Sequence, residues 1–301
     1  MKERVVQFGP EQTLLGIETE AAGNVADPAR PTWIFLNAGV VHRVGPHRLT
    51  VNLARRISLA GYPTLRFDLS GLGDSRPRNG VTFEHTAVQD VCDAMDHLQH
   101  TTRVQRFVLC GLCSGADNAI RVALIDRRVA AIALVDPYAY RTARSRLNWF
   151  LQRARGSGTL GRFAGRTAHA LMRTVRQRLL PDSDDAQPAP DLKSLARERP
   201  SRGALAARMN FIVDQATQVF LVYSGGSTDE YNYAGQFNDA FRWYGLAGRV
   251  RTEYLAICNH TFTELEHQRL LGDLLMAWAE ELFPASPPSP PDLDGQTAPQ
   301  G

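Results

Sequence analysis

The sequence predicts an α/β protein built around a mostly parallel, eight-stranded sheet. Apolar, strand-like segments alternate with segments whose apolar residues recur at helical spacing, which is the pattern of successive strand–helix–strand units. A hydrophobic content of 44% is sufficient for a large core in a chain of 301 residues. The strands are predicted over residues 4–8, 14–19, 33–37, 64–68, 107–109, 129–135, 219–223 and 251–257.

The spacing of these segments predicts how the strands connect. The first two strands are close together in sequence, so we expect an antiparallel hairpin at one edge of the sheet. The later strands are separated by longer segments, and parallel strands require such crossovers, usually helices. Flanking helices are predicted over residues 48–59, 83–99, 115–126, 233–244 and 264–282.

Residues 141–210 interrupt this alternation with Arg-rich helical stretches and a segment rich in Pro, Asp and Ser. An insertion at this place is expected over the carboxyl ends of the strands, where open α/β sheets bind ligands. We therefore predict a core of residues 1–140 and 211–283 with a helical cap over residues 141–210. The Pro/Ser-rich residues 284–301 are predicted to be a disordered tail.

Length and composition exclude several classes of protein. Four cysteines in a chain this long, without a signal peptide, argue against a disulfide framework and a zinc site, and favour a reducing, cytoplasmic setting. No apolar stretch reaches the roughly 18 residues of a transmembrane helix. The sequence also lacks a dinucleotide fingerprint and a cluster of metal ligands, so we expect neither an organic cofactor nor a metal.

The most informative segment is residues 106–115, Arg-Phe-Val-Leu-Cys-Gly-Leu-Cys-Ser-Gly. A predicted strand runs into Gly111-Leu-Cys-Ser-Gly115, and a predicted helix follows. This is the context of the G-x-S-x-G nucleophile elbow of α/β-hydrolases, with cysteine at the central position. The glycines allow a sharp turn that exposes the side chain of Cys113, which we predict to be a nucleophile. Ser114 is the alternative, but the glycines are centred on position 113.

A thiol nucleophile requires a base and a group that orients the base. In α/β-hydrolases these follow the nucleophile in the order acid, then histidine. His260 is the one histidine of eight that follows a predicted strand in the last strand–helix turn. Asp229, after the strand at 219–223, is the predicted acid, and Glu230 and Asp239 are the alternatives.

The predicted chemistry is nucleophilic acyl substitution. A helix N-terminus and a neighbouring imidazolium both favour the thiolate of Cys113. His260 would protonate the leaving group, and Asp229 would orient the imidazole. The oxyanion is expected to be held by the backbone N–H of Ser114 and by that of Val40 in the turn at residues 37–40.

Together these segments resemble the α/β-hydrolases of the serine-aminopeptidase-like branch, in particular the hydrolases associated with the exosortase system. The resemblance covers most of residues 32–140 and 218–283, but not the cap. It rests on four segments: Arg43-Val-Gly-Pro-His-Arg48, the stretch from Ala60-Gly-Tyr-Pro to Gly73-Asp-Ser75, the elbow, and Asn259-His-Thr-Phe262. It implies an α/β-hydrolase fold with a catalytic triad. The cysteine departs from the usual serine.

The resemblance and the thiol together predict an acyl hydrolase, a thioesterase or an esterase, that acts through a covalent acyl-thioenzyme. An acyltransferase is the alternative, because an enzyme-bound thioester reacts readily with amines and thiols. Polyhydroxyalkanoate synthases and some biosynthetic thioesterases are similar in carrying cysteine at the elbow. A hydrolase-like scaffold that only binds a ligand is the third hypothesis.

The charge of the chain suggests what carries the acyl group. Residues 141–180 contain ten arginines and no Asp or Glu, so the net charge of +3 for the whole chain leaves −7 for the rest. We expect a small-molecule or carrier-bound acyl substrate, with an acidic acyl-carrier protein or a phosphopantetheine arm at the basic cap. A membrane surface and a solvated helix face are the alternatives. Few aromatic residues accompany the arginines, which argues against nucleic acid.

Overall fold

The computed structural model describes residues 1–23, 30–78, 83–156 and 199–285. In this part of the chain, eight strands form one sheet in the order β1-β2-β4-β3-β5-β6-β7-β8. The strands are β1 (Glu3–Phe8), β2 (Leu14–Thr19), β3 (Thr32–Leu36), β4 (Thr64–Phe67), β5 (Phe107–Leu112), β6 (Val129–Val135), β7 (Gln218–Ser224) and β8 (Arg251–Leu255).

Most strand pairs are parallel. The pairs β1–β2 and β2–β4 are antiparallel, and every pair from β4 across to β8 is parallel. Strands β3 and β5 are buried along their whole length, which explains why their sequences are continuous apolar runs rather than alternating ones. The predicted mostly parallel sheet and its edge hairpin are confirmed.

Seven α-helices are described, and they cover both faces of the sheet. Their bounds are α1 (Leu49–Leu59), α2 (Phe83–Thr102), α3 (Ser114–Ala123), α4 (Ala143–Gly156), α5 (Arg202–Asp214), α6 (Gln236–Phe241) and α7 (Leu265–Leu282). Helices α2, α3, α5 and α6 pack into the core on one face, and α1 and α7 into the core on the other. Burial on both faces fixes the sheet as the centre of a three-layer structure.

Helix α5 shows that the core begins earlier than predicted. It spans the predicted cap boundary at residue 210, and its residues Leu205, Met209 and Ile212 lie in the core beneath the sheet. Their spacing of four and three residues places them on one helix face. Within the predicted cap, the structure describes residues 141–156, which contain helix α4, and residues 199–210, which contain the start of α5. The rest of the cap, residues 157–198, and the tail residues 286–301 lie outside the described residues.

Strand β5 is longer than the sequence predicted. Glycine is unfavourable in strands, so Gly111 marks an apparent strand end, but Gly111 and Leu112 pair with Leu134 and Val135 of β6. The strand therefore leads directly into the elbow. Among the described helices, none is both long and apolar enough to cross a bilayer.

Candidate active site

Cys113 lies at the apex of a tight turn between β5 and α3. Its backbone has φ 57° and ψ −115°, a conformation that costs a non-glycine residue on the order of 1–3 kcal/mol. Two hydrogen bonds hold this turn, from Cys113 N to the carbonyl of Val135 (2.9 Å) and from Ala116 N to the carbonyl of Cys113 (3.0 Å). The strained residue is therefore fixed by its neighbours, as the elbow pattern predicted.

The two glycines of the elbow are required by close packing. A Cβ on Gly111 would lie 2.2 Å from the carbonyl carbon of Gly115, and a Cβ on Gly115 would lie 2.8 Å from the carbonyl oxygen of Asn37. Neither position can hold a side chain without moving backbone. This packing brings the start of α3 against the end of β3, where the predicted oxyanion turn begins.

His260 contacts both Cys113 and an aspartate. Its Nδ1 lies 2.7 Å from Asp136 Oδ2, and its side chain also hydrogen-bonds Cys113. Because Asp136 holds Nδ1, Nε2 is the ring nitrogen that remains for the sulfur. The structure thus joins a thiol, an imidazole and a carboxylate in one hydrogen-bonded chain, the arrangement of a catalytic triad.

The carboxylate of this chain is not the one that we predicted. Asp229 is exposed and pairs with Arg141 (Oδ2 to Nη2, 3.3 Å), so the expectation that it orients His260 is wrong. The two alternative acids also lie elsewhere. Glu230 pairs with Arg199, and Asp239 accepts a hydrogen bond from the Tyr233 hydroxyl at 2.7 Å.

Asp136 follows β6 directly, and this position explains its contact with His260. It is largely buried, and its two oxygens accept hydrogen bonds from Ser224 N (2.6 Å) and Ser224 Oγ (2.7 Å) at the end of β7. Ser224 thus fixes the carboxylate from the neighbouring strand. The sequence carries a signal for this residue, since Asp136 is an acid immediately after a strongly apolar strand. Asp229 likewise follows the next strand, so the local sequence pattern does not indicate which of the two acids contacts His260.

Electrostatics at the site favour a charged imidazole. The hydrogen bond to Asp136, and then the one to Cys113, raise the pKa of His260 to about 10, against the opposing effect of burial. The other three thiols are in a different environment. Burial raises the pKa of Cys92 and of Cys258 to about 11 and that of Cys110 to about 12. Cys113 is the thiol placed beside a cation.

Cys110 and Cys113 have C-x-x-C spacing, yet they do not form a disulfide. Both are free thiols. Cys110 lies within β5, and three residues of extended chain span about 10 Å, beyond the roughly 7 Å between Cα atoms that a disulfide can bridge. The pair is therefore not a redox-active dithiol in this fold.

The predicted oxyanion residues lie together beside the elbow. Ser114 is the first residue of α3, where backbone N–H groups have no partner within the helix. Val40 lies in a turn closed by a hydrogen bond from Val41 N to the Ala38 carbonyl (3.0 Å). The Ser114 hydroxyl accepts a hydrogen bond from Gly39 N at 2.6 Å. The side chain of Ser114, the alternative nucleophile, thus ties the oxyanion turn to the elbow.

A buried carboxylate, that of Asp68, also fixes the turn that contains Val40. Asp68, at the end of β4, is fully buried and accepts hydrogen bonds from the Asn37 side chain (3.4 Å), Arg43 N (2.5 Å) and Asp74 N (3.2 Å), and it also pairs with the Arg43 guanidinium. A buried anion with this many donors is well stabilised. The network therefore holds residues 37–43 in one conformation.

Cys113, Asp136 and His260 open onto a pocket of about 280 Å³. Its other walls come from the segment after β6, from the end of β7 and the loop that follows it, and from Arg199. The residues of the first three are Pro137, Tyr138, Ala139, Tyr223, Ser224, Glu230 and Tyr231. The rings of Tyr223 and Tyr231 stack at 3.8 Å and give the pocket a rigid apolar side. The Arg199–Glu230 ion pair gives it a polar side.

In the described part of the chain, no group of acidic, His and Cys side chains is arranged to hold a metal.

Comparison with known proteins places the chain in a family. A family model described as the alpha/beta hydrolase fold matches residues 32–281. The chain belongs to the α/β-hydrolase-fold family. The predicted fold class and family are thereby confirmed, whereas the branch within the family and the cysteine nucleophile stay predictions. No curated protein matches the sequence.

Solved structures of α/β-hydrolases share the fold at low sequence identity. An esterase from Pyrococcus furiosus has a TM-score of 0.58 at 14% identity, with 92% of this chain and 91% of that chain covered. An α/β serine hydrolase of Xanthomonas campestris, described as having no lid, has a TM-score of 0.55 at 13% identity, covering 95% and 97%. An α/β serine hydrolase homologue from Coxiella burnetii scores 0.53 at 15% identity, covering 92% and 96%.

We predict that iodoacetamide alkylates Cys113 selectively at pH 7. The other thiols, with pKa values of about 11 to 12, ionise to only about one part in 10⁴ or less at this pH. The raised pKa of His260 keeps the imidazole charged up to about pH 10, so the selectivity persists well above neutrality. Peptide mass spectrometry of time points measures each rate, and equal rates at all four cysteines would contradict the assignment.

We predict that Asp136→Asn lowers acyl-thioester turnover by about 10²–10⁴-fold, because the amide no longer stabilises the imidazolium or fixes its orientation. Asp229→Asn is the matched control and should retain turnover within about twofold. The same assay across pH should show that the ionisation of His260 moves from near 10 toward its ordinary value in Asp136→Asn only. A large loss in Asp229→Asn with none in Asp136→Asn would restore Asp229 as the acid.

We predict that Ser114→Ala lowers turnover by only about 2- to 13-fold, the equivalent of one hydrogen bond of 0.5–1.5 kcal/mol to Gly39 N. Cys113→Ala, measured beside it, should abolish the acyl-enzyme. The comparison separates the two residues, because a nucleophilic Ser114 would show the opposite ranking.

Proposed function

We propose that the protein is an acyl hydrolase, acting on thioesters or esters, in which Cys113, His260 and Asp136 form the catalytic triad. The observation that carries the proposal is the hydrogen-bonded chain from the Cys113 thiol through His260 to Asp136, at a nucleophile elbow that faces a pocket. Two of the structural relatives are named as serine hydrolases or their homologues, whereas this chain carries cysteine at the elbow.

The first half-reaction follows from the geometry. The thiolate of Cys113 attacks the acyl carbonyl carbon, and the carbonyl π electrons move to oxygen, which the N–H groups of the elbow and the oxyanion turn stabilise. The tetrahedral adduct collapses and expels a thiolate or alkoxide, which takes the proton from His260 Nε2. The products are an acyl-Cys113 thioester and the free thiol or alcohol.

The second half-reaction restores the enzyme. Neutral His260 accepts a proton from water as the water oxygen attacks the acyl-Cys113 carbonyl. Expulsion of the Cys113 thiolate then releases the carboxylic acid, and His260 remains protonated beside Asp136. No external oxidant or cofactor enters this balance. Asp136 keeps the imidazole oriented throughout, as triad carboxylates do.

Thioesters fit this site better than ordinary esters. Transfer of an acyl group from a thiol to Cys113 exchanges one thioester for another, so the acyl-enzyme forms without a large uphill step. An ester substrate must instead be converted into the more reactive thioester. The same reactivity favours amine, alcohol or thiol acceptors over water, which is why acyl transfer is the second candidate function.

The test is intact-mass spectrometry with a panel of N-acetylcysteamine thioesters of short, medium and long acyl chains. We expect a mass increase equal to one acyl group on Cys113, followed by release of the free acid. Cys113→Ala should show neither, and Cys113→Ser should retain only a small part of the turnover. An added amine or alcohol that appears in the product would identify transfer rather than hydrolysis.

Full turnover in Cys113→Ser would show that the sulfur is not essential. The absence of any adduct and of any turnover across the panel, in folded protein, would leave the noncatalytic scaffold as the better explanation. Both outcomes concern the site at Cys113 alone, because these thioesters carry no phosphate.

A further inference from the structure

A second cavity is formed by residues that closely follow those of the active-site pocket. It encloses about 590 Å³, within the range of small-molecule sites, and lies between the start of α4, the start of α5 and the residues after α6. Five of the eleven described residues that line it are arginines, and we call it the arginine pocket: Arg141, Arg144, Arg146, Arg202 and Arg242.

Among the described residues, the positive charge of the arginine pocket is largely uncompensated. Asp239 is the one acidic residue among the described residues of the lining, and five arginines against one aspartate give these residues a formal charge of +4. Arg141 pairs with Asp229, but both side chains are more than half exposed, so this pair is weak. Within the described residues, Arg144, Arg146 and Arg242 have no carboxylate within salt-bridge distance. Such a concentration of like charge in a concavity favours a bound anion.

Two helices add to this potential. Helices α4 and α5 both begin at the arginine pocket, and neither has an acidic residue in its first turn. Instead, the first residues of these helices include Arg144, Arg146 and Arg202. A helix N-terminus presents unpaired N–H groups and a partial positive charge, which disfavours cations and favours anions. An anion in the pocket would relieve both kinds of repulsion.

Aromatic rings orient three of the guanidinium groups. Arg144 lies over the Tyr233 ring at 4.6 Å, Arg242 over Trp243 at 4.7 Å and Arg202 over Tyr140 at 5.8 Å, measured to the ring centroids. Stacking uses the planar face of the guanidinium and leaves the N–H edges of Arg144 and Arg242 available for bidentate contact with phosphate oxygens. Arg202 also donates a hydrogen bond from Nη2 to the carbonyl oxygen of Arg141 (3.1 Å). Trp243 itself is 82% exposed and offers a flat surface to a planar group.

The arginine pocket adjoins the active site through one short segment. Ala139 lines the active-site pocket and Arg141 lines the arginine pocket. Two residues of chain span at most about 7 Å. The two linings therefore approach within about 7 Å of each other, the gap that a ligand with a flexible, extended arm would span to place its acyl group near Cys113.

We propose that the arginine pocket binds the phosphate groups of an acyl-thioester substrate of the coenzyme A type. This inference rests on the proposed function and names the carrier of the acyl group. One phosphate monoester supplies a charge of only about −2. A lining charge of +4 is matched by a diphosphate together with a monoester, the groups that coenzyme A carries beyond its pantetheine arm. A carrier protein would present a single phosphodiester and relies on other contacts.

The test is isothermal titration calorimetry with the full-length Cys113→Ala variant, which binds without turnover. Coenzyme A, 4′-phosphopantetheine, pantetheine and inorganic diphosphate are the probes. We expect coenzyme A to bind at least tenfold more tightly than pantetheine, with affinity that falls as salt is raised. Adding R144Q/R242Q should weaken coenzyme A binding at least tenfold.

The matched control is R103Q/R127Q, which removes two exposed arginines that precede β5 and β6, at the opposite ends of those strands from Cys113. It should leave coenzyme A binding within twofold. Equal weakening by both double variants, or coenzyme A binding no tighter than pantetheine, would overturn the proposal. Binding of a phosphopantetheinylated carrier protein without binding of coenzyme A would also overturn it. Because the assay needs no nucleophile, its outcome is independent of acylation at Cys113.

Discussion

The register of the parallel strands β5, β6, β7 and β8 is the constraint on which the site depends. Leu112 pairs with Val135, Val135 pairs with Val222, and Ser224 pairs with Leu255, so the carboxyl ends of four strands lie at one edge of the sheet. A polar side chain lies at or within a few residues of the end of each of these strands: Cys113, Asp136, Ser224 and His260. A slip of one residue would turn a side chain to the opposite face and break the contact between the thiol and the imidazole.

The strained backbone of the elbow exposes the sulfur of Cys113. A strain on the order of 1–3 kcal/mol at Cys113 is a substantial fraction of the roughly 5–15 kcal/mol by which domains are typically stable. It persists because the glycines at 111 and 115 let β5, α3 and β3 pack at backbone contact distance. The same contact lets the Ser114 hydroxyl accept a hydrogen bond from Gly39 N, so the strained Cys113 and the predicted oxyanion turn are held together.

Charge is arranged in two zones along one stretch of chain. Asp136, just after β6, holds a positive imidazole, and a few residues later the chain enters the arginine pocket. A substrate that is anionic at one end and acylated at the other would be oriented by this layout before any covalent step. Positioning by remote contacts of this kind contributes to catalysis by placing the reacting atoms near each other. Arg141, Arg144 and Arg146, from the start of the basic stretch seen in the sequence, line this pocket.

The sequence by itself determined the sheet, its edge hairpin, the elbow and the positions of Cys113 and His260, because these follow from local patterns: apolar runs, glycine spacing and a histidine just after a strand. Only the tertiary structure decided the acid. Asp136 and Asp229 both follow strands, and which one meets His260 depends on how neighbouring strands align, a non-local property. Helix α5 also depends on tertiary structure, because packing beneath the sheet sets its core face. The arginines of α4 and α5 are far apart in sequence, and they share one cavity only in the folded chain.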